Sequence, residues 1–257
     1  MSTILVTFAV AAESAAWRRR RRFREVRLGG LALAEARIGS VVVRVALIGI
    51  GPASAARAIR EILDRERPDV CIAAGLSGAL KAGLDLARVV VPRRVGGAQP
   101  GNRMADGYLV APWLVDEAEQ AGARVLPALV STERVLVRPQ EKAAWAGAAD
   151  IVDMESASVL EAAAAASVPA LAIRVISDTA WERLPLDFNR VLTPHGEIDR
   201  GRLAMEVARR PWRVGALVRF GRASARAAEA LASFLDGYVE RLGDGLTRMN
   251  TSRLTTR

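Results

Sequence analysis

The sequence contains few of the residues that form disulfides and metal centres. Cys71 is the only cysteine and His195 the only histidine among 257 residues. One thiol cannot form an intramolecular disulfide, and it cannot supply a metal site built from several cysteines. We therefore expect a reducing, cytoplasmic environment, with Cys71 packed inside a strand and His195 in a loop.

Long apolar runs are also absent. The longest, residues 158–173, is interrupted by Glu161 and Pro169, whereas a membrane-spanning helix needs about 20 consecutive apolar residues. No charged segment followed by an apolar stretch marks a signal peptide. Because 51% of the residues are apolar and 25% are charged, the composition predicts a folded globular protein.

Lysine is nearly missing, although the chain is basic. Lys81 and Lys142 are the only lysines, and the net charge of +9 is concentrated in the arginines of residues 18–27 and 200–257. A basic surface can attract nucleic acid, but neither segment contains a groove-reading module or an RNA-binding aromatic pattern. We therefore expect no nucleic-acid partner.

Short apolar runs alternate with helical stretches along residues 3–178. Residues 3–11 and 70–74 are typical of buried strands, residues 31–36 and 41–48 of a hairpin, and residues 53–66 of a helix that follows a glycine turn. This order predicts an α/β fold with a mixed, largely parallel sheet flanked by helices. Further strands are expected at residues 88–92, 125–131 and 170–176, and further helices at residues 113–122, 140–146 and 155–166.

The last third of the chain departs from this pattern. Residues 179–200 contain two prolines and predict an irregular loop. Residues 201–242 predict amphipathic helices with a break near Pro211. We expect a main domain over residues 1–200, a helical extension packed on it over residues 201–242, and a disordered tail over residues 243–257.

Three acidic residues directly follow predicted strands. These are Glu13, Glu155 and Asp178. Ligands of open α/β sheets bind beyond the carboxyl ends of the strands, so the three carboxylates are expected at one rim, where they can bind a polar substrate and transfer protons. Their spacing alone does not specify a reaction.

Two motifs make the chain recognisable. Val152-Asp153-Met154-Glu155-Ser156 is followed about twenty residues later by Ile173-Arg174-Val175-Ile176-Ser177-Asp178. Together they resemble the purine and uridine phosphorylase superfamily, in particular its methylthioadenosine/S-adenosylhomocysteine nucleosidase branch. The resemblance covers residues 3–178 and aligns Ala9-Val10-Ala11-Ala12-Glu13 with the segment that carries the branch's first catalytic glutamate.

The resemblance implies cleavage of the N-glycosidic bond of a purine nucleoside through an oxocarbenium-like sugar. Asp178 would protonate the leaving base and Ser177 would orient its carboxyl group. Glu155 would bind the ribose hydroxyls and stabilise the developing cation, with Met154 packed on the sugar. Glu13 would position or deprotonate the attacking water. The resemblance implies a homo-oligomer and neither a cofactor nor a metal.

The expected contacts to the base come from the segment after the strand that ends at Ser131. Val135 and Leu136 are its predicted lining, the latter through its backbone. The branch carries an aromatic ring near the position of Val135, and this chain has none there. The missing stacking, about 1 to 3 kcal/mol per base, leaves the identity of the base open.

Water is favoured over phosphate as the nucleophile. A second glycine turn is predicted at Gly75-Leu76-Ser77-Gly78. Hexameric phosphorylases present an arginine and a serine near this turn, where this chain has Ala73 and Leu76. Ser77 is the expected hydroxyl contact at this turn. Arg44 or the arginines of residues 18–22 would have to reach the site for phosphorolysis, which stays an alternative.

The C-terminal region suggests a second alternative. Residues 184–222 look like the extension of the hopanoid-associated phosphorylases, which release adenine from adenosylhopane, a nucleoside with a large lipid. A basic amphipathic helix with Trp212 and Phe220 would suit peripheral contact with a membrane. A non-catalytic nucleoside-binding protein on the same scaffold is the third reading.

Overall fold

The structure, a computed structural model, describes residues 2–193 and 196–255. The described residues form eleven strands and seven α-helices. In chain order they are β1 (Thr3–Phe8), α1 (Ala11–Arg21), β2 (Arg24–Leu28), β3 (Leu31–Ile38), β4 (Val41–Leu47), α2 (Pro52–Leu63), β5 (Val70–Ala79), β6 (Val89–Gln99), β7 (Arg103–Met104), β8 (Tyr108–Leu109), α3 (Pro112–Gln120), β9 (Arg124–Ser131), α4 (Pro139–Ala143), β10 (Ile151–Asp153), α5 (Ser156–Ala165), β11 (Ala170–Asp178), α6 (Arg200–Ala208) and α7 (Val214–Thr255).

The strands form one mixed sheet in the order β10-β9-β6-β11-β5-β1-β4-β3-β2. The centre is parallel, because β5 pairs in parallel with β1 and β11, and β1 pairs in parallel with β4. β3 and β4 form the expected antiparallel hairpin, and β2, which the sequence did not predict, pairs antiparallel with β3. β10 also pairs with β5, so that β5, β11, β6, β9 and β10 close into a barrel. The predicted α/β fold with a mixed sheet is confirmed.

The central strands are buried because helices cover both faces. Every residue of β11 is buried, and Cys71 on β5 is fully enclosed. Burial in this apolar core raises the pKa of the Cys71 thiol to about 12, so this cysteine is a packing residue. His195 lies outside the described residues.

The arginine-rich end of α1 is bound to the C-terminal helix α7. The indole of the fully buried Trp17 donates a hydrogen bond to Asp236 at 2.6 Å. The Arg21 side chain pairs with Asp236 and Glu240, both at 2.8 Å. Each such surface pair contributes little alone, but together with the buried indole they fix α7 against α1.

The prediction of a disordered tail from residue 243 is wrong over the residues that the structure describes. The predicted break near Pro211 is the 3-10 turn Pro211–Arg213, and α7 begins directly after it and continues to Thr255. The helix persists because Leu242 and Leu246 are buried. A side chain at Gly243 would lie 3.0 Å from Val41 on β4, so the helix approaches the sheet closely there. Residues 256 and 257 lie outside the described residues.

The segment between β11 and α6 folds back over the main domain. It contains a 3-10 turn at Phe188–Arg190 and an isolated bridge between Leu192 and Ile198. The amide of Ile50 donates to the carbonyl of Gly196 at 2.8 Å. This hydrogen bond holds the segment against the glycine turn Gly49-Ile50-Gly51-Pro52, which precedes α2. In residues 2–193 and 196–255, no helix is long and apolar enough to cross a membrane.

Candidate active site

A cavity of about 560 Å³ lies beyond the carboxyl ends of β1, β5, β10 and β11. Its walls are mostly apolar, and four carboxylates face it: Glu13, Asp153, Glu155 and Asp178. All eight residues predicted from the sequence line this cavity, namely Glu13, Ser77, Val135, Leu136, Met154, Glu155, Ser177 and Asp178.

The Glu13 carboxylate accepts hydrogen bonds from the backbone just after β1 and from the backbone of β5. Glu13 lies in the first turn of α1, and one carboxylate oxygen accepts the amide of Ala9 at 3.1 Å while the other accepts the amide of Leu76 at 3.0 Å. Burial raises the pKa of Glu13, whereas the Arg174 charge and the backbone amides act in the opposite direction. The result is an orientated carboxylate whose proton affinity is higher than that of a surface glutamate.

Glu155 is held by the glycine turn that precedes α2. Its carboxylate accepts the amide of Gly51 at 2.8 Å, and Gly51 adopts φ +91°, a backbone conformation that favours glycine. A Cβ at Gly51 would contact the Met154 side chain at 3.7 Å, so Met154 packs over this turn. Burial, with repulsion from Asp153, raises the pKa of Glu155 to about 8 despite the nearby Arg174.

A buried arginine links these carboxylates, and sequence reasoning assigned it no role. Arg174 on β11 is 2% exposed, pairs with Asp153 at 2.5 Å and donates to the Ser156 hydroxyl at 2.8 Å. Its other terminal nitrogen and Glu13 converge over Gly75, where a Cβ would lie 2.3 Å from the guanidinium. Any residue with a side chain at position 75 would therefore clash with Arg174, so this position requires glycine. A charged residue inside an otherwise apolar strand was the signal in the sequence.

Asp178 is bound on both carboxylate oxygens. The Ser177 hydroxyl donates to one oxygen at 2.7 Å, and the Lys142 ammonium pairs with the other. Lys142 also donates to the carbonyls of Thr179 at 2.7 Å and Glu182 at 3.1 Å. Sequence reasoning missed Lys142, although a lysine in a chain whose other basic residues are nearly all arginine was an available signal.

The predicted second glycine turn, residues 75–78, is instead the carboxyl end of strand β5, and Ser77 there has a hydroxyl without a partner among the described residues. The Ser77 side chain is buried, lines the cavity, and makes no hydrogen bond to any residue that the structure describes. Such a group normally finds a partner, and a water or a polar ligand atom in the cavity would supply one. Gly78 next to it leaves room for Asp178, since a Cβ there would lie 2.9 Å from the carboxylate.

Val135 and Leu136 differ in what their backbones can offer a ligand. The amide and carbonyl of Val135 are both bonded to the side chain of Asn189, at 2.8 and 3.0 Å. Leu136 has no backbone partner among the described residues. Its peptide groups can therefore bind a polar ring edge, as expected, and Asn189 holds this segment in place.

Two aromatic side chains enter the cavity from outside the predicted positions. Phe188 comes from the irregular segment and Phe220 from α7, and their ring centroids lie 5.5 Å apart with a 36° angle between the planes. They supply aromatic surface that the chain lacks at Val135. The sequence around Phe188 and Phe220 does not predict that they line the cavity, because only the fold brings these two segments together.

The arrangement combines an acid held by a lysine and a serine, a buried glutamate that lines the cavity, and a third carboxylate orientated by backbone amides. Such a set can donate a proton to one part of a ligand, stabilise positive charge on another part, and orientate a water molecule. Among the described residues, no cluster of three or more histidine, cysteine or carboxylate side chains has the arrangement of a metal site.

Comparisons with known proteins identify the family of the chain. A family model described as the phosphorylase superfamily matches residues 10–193. A 5'-methylthioadenosine/S-adenosylhomocysteine nucleosidase of Glaesserella parasuis is 25% identical over 185 residues, which are 64% of this chain and 80% of that protein.

Solved structures share the fold over nearly the whole chain. The 5'-methylthioadenosine/S-adenosylhomocysteine nucleosidase of Neisseria meningitidis, in complex with methylthio-immucillin-A, superposes with a TM-score of 0.70 at 21% identity and covers 94% of this chain and 100% of its own. A futalosine hydrolase mutant of Helicobacter pylori has the same TM-score at 16% identity and the same coverage. The chain belongs to the phosphorylase superfamily and is an enzyme that acts on nucleoside glycosidic bonds.

Proposed function

We propose that the protein hydrolyses the N-glycosidic bond of an adenine nucleoside of the methylthioadenosine/S-adenosylhomocysteine type. The observation that carries the proposal is the convergence of Glu13, Glu155 and Asp178 on one cavity. The names of the relatives support the substrate class, since the Glaesserella parasuis and Neisseria meningitidis proteins are nucleosidases of this type.

The leaving base would be protonated by Asp178. Its carboxyl group is fixed by Ser177, and Lys142 lies on the opposite oxygen. The protonated form of Asp178 would give its proton to the purine, and the negatively charged carboxylate that remains is the form that pairs with Lys142. The buried ammonium of Lys142 stabilises that charge, which favours departure of the base.

The sugar would be bound above Glu155 and Met154. Cleavage makes the ribose resemble an oxocarbenium ion, and the ionised carboxylate of Glu155 would stabilise it. The raised pKa of Glu155 means that the binding of a cationic sugar and the loss of the Glu155 proton favour each other. Met154 supplies the apolar contact beneath the ring.

The attacking water would be held by Glu13. Glu13 has a raised pKa, so it can accept a proton while the amides of Ala9 and Leu76 fix its orientation. The unpartnered hydroxyl of Ser77 is available to the same water or to a ribose hydroxyl. The water attacks the anomeric carbon, its proton passes to Glu13, and the bond to the base breaks.

Charge in the cavity favours water over phosphate. Lys142 is occupied by Asp178, and Arg174 by Asp153. The two other arginine sources considered from the sequence are also engaged elsewhere, because Arg44 pairs with Glu35 and Glu66, and Arg21 pairs with α7. Arg134, the other cation that lines the cavity, pairs with Glu141. A phosphate dianion beside Glu13 and Glu155 would therefore meet like charge, and no cation of the described lining is unpaired to offset it.

The apolar wall formed by α7 favours a second candidate with a larger substrate. Phe220, Ala225 and Ala228 on α7, with Leu192 and Ile198, close the far side of the cavity. This wall suits an apolar 5' substituent, as in the hopanoid-type alternative in which a phosphorylase releases adenine from adenosylhopane. The same bond would be cleaved, and only the nucleophile and the 5' group would differ.

The experiment is an assay of free base released from methylthioadenosine, S-adenosylhomocysteine, adenosine and inosine, each with and without phosphate. Adenine release without phosphate is the expected result, and Asp178→Asn and Glu13→Gln should each abolish it. Release that requires phosphate would contradict the hydrolytic proposal. Nucleoside binding without turnover in the unmodified protein would instead favour a non-catalytic binding protein.

A further inference from the structure

A second cavity, of about 260 Å³, is lined mainly by arginines, and we call it the arginine cavity. Two carboxylates, Glu141 and Asp187, are the acidic groups among its described lining residues. Six guanidinium groups against two carboxylates leave an excess of four positive charges. The arginines are Arg134, Arg138, Arg183, Arg190, Arg210 and Arg213.

Half of these arginines have no carboxylate partner among the residues that the structure describes. Arg134 pairs with Glu141 at 3.0 Å, and Arg190 lies 3.4 Å from Asp187. Arg210 is bound to Glu206 at 2.6 Å. The remaining three have no carboxylate within 4.0 Å in residues 2–193 and 196–255; they are Arg138, Arg183 and Arg213.

We propose that the arginine cavity is a binding site for a phosphate-bearing anion. Concave clustering of like charge costs free energy, and it raises the local concentration of ions of the opposite sign. Guanidinium groups present planar pairs of N–H donors that match phosphate oxygens, and several can bind one phosphate at once. The active-site cavity offers the opposite electrostatics, so this is a separate site.

The position of the arginine cavity couples it to the active site. Arg134 lines both cavities. Residues 134–138 and 183–190 separate the two cavities: Leu136 and Phe188 line the active site, whereas Arg138 and Arg183 line only the arginine cavity. An anion bound by Arg138, Arg183 and Arg213 would hold three separate chain segments together and stabilise this partition. The proposal goes beyond the hydrolysis proposed above and does not depend on it.

Two sources of the phosphate group are compatible with the surroundings. Trp181 and Trp212 are 73% and 75% exposed, one lying two residues before Arg183 and the other directly before Arg213. Exposed tryptophan beside arginine is typical of surfaces that meet lipid headgroups. A small phosphate compound in solution would use the same guanidinium donors without the tryptophans.

The first experiment is a titration of inorganic phosphate followed by thermal unfolding at constant ionic strength, so that general screening is held fixed. A ligand of the folded state raises the unfolding temperature in a saturable way. We compare the unmodified protein, R138Q/R183Q, and the control R27Q/R37Q, whose arginines lie on β2 and β3 and which loses the same charge. The midpoint of the phosphate effect should rise at least tenfold in R138Q/R183Q and remain unchanged in the control.

The second experiment is co-sedimentation with vesicles of phosphatidylglycerol, with phosphatidylcholine vesicles for comparison. Selective binding to phosphatidylglycerol that R138Q/R183Q loses and R27Q/R37Q keeps supports the proposal with a lipid source. A saturable phosphate effect without vesicle binding supports it with a small phosphate compound as the source. The proposal is overturned if neither occurs, or if R138Q/R183Q behaves like the control in both measurements.

Discussion

The Lys142 ammonium forms a buried ion pair with the Asp178 carboxylate, and both residues line the active-site cavity. Lys142 is 1% exposed, and its remaining donors bind the carbonyls of Thr179 and Glu182. Three acceptors around one nitrogen suit a lysine, whose ammonium carries three donors on a compact centre. A planar guanidinium would not fit the same positions.

Replacing Lys142 should therefore impair the chemical step. Lys142→Met keeps the apolar stem and removes the charge, so the Asp178 carboxylate loses its stabilising partner. We expect kcat to fall by about 10²-fold or more, within the range of general-acid effects, with an altered pH profile and no rescue by Lys142→Arg. Steady-state kinetics over a range of pH measures kcat and its pH profile for each variant.

The matched control for this variant is Lys81→Met, which breaks the more exposed pair of Lys81 with Asp150. Circular dichroism verifies that each variant is folded, because removing one partner of a buried pair can cost about 3 to 5 kcal/mol. The double variant Lys142→Met/Asp178→Asn removes the uncompensated charge and should recover stability without recovering activity. Equal kcat values for Lys142→Met and Lys81→Met would contradict the assigned role.

Glu155 should make the fold less stable as pH rises. Burial raises its pKa from 4.5 to about 8, so between these values the folded protein retains a proton that the unfolded chain has released. The free energy of unfolding then falls with increasing pH across this window. Glu155→Gln removes this cost and should raise the unfolding temperature at pH 8.5, by about 2 to 4 °C for each kcal/mol regained, but not at pH 4.

Thermal unfolding of the unmodified protein, Glu155→Gln and Glu119→Gln at both pH values measures this effect. Glu119 is an exposed carboxylate on α3 and serves as the control. Activity should be lost in Glu155→Gln, since the variant has no charge to stabilise the sugar cation. A stability difference that is the same at pH 4 and pH 8.5 would show that ionisation of Glu155 is not its cause.

The sequence was sufficient for the parts of the site that depend on local order along the chain. Glu155 enters the cavity after β10, which pairs antiparallel with β5. Glu13 follows β1 and Asp178 ends β11, and both strands are parallel to β5, so the meeting of these two carboxylates at one rim was predictable. Lys142 and Phe220 were not, because they approach from a short helix and from α7 through tertiary packing. The tail was misjudged because chain termini are often disordered, whereas here Leu242 and Leu246 are buried and α7 continues through them.

Asn189 should affect substrate affinity more than turnover. Its side chain bonds both backbone groups of Val135 and thereby fixes the segment that carries Leu136. Asn189→Ala removes both side-chain hydrogen bonds to Val135, about 1 kcal/mol each, together with one to Asp187, and we expect KM to rise about tenfold with a smaller change in kcat. The control is Gln99→Ala at the exposed end of β6. A fall in kcat without a change in KM would contradict a positioning role for Asn189.

Phe188 should contribute aromatic contact to the bound nucleoside. Its ring lines the cavity beside Phe220 and supplies surface that the chain lacks at Val135. Phe188→Leu keeps most of the apolar volume and removes the π-face. Because stacking on a base is worth about 1 to 3 kcal/mol, we expect kcat/KM to fall at least fivefold. Phe234→Leu is the matched control, since Phe234 stacks on Tyr238 outside the cavity. If Phe188→Leu and Phe234→Leu have the same kcat/KM, the ring of Phe188 does not contact the nucleoside.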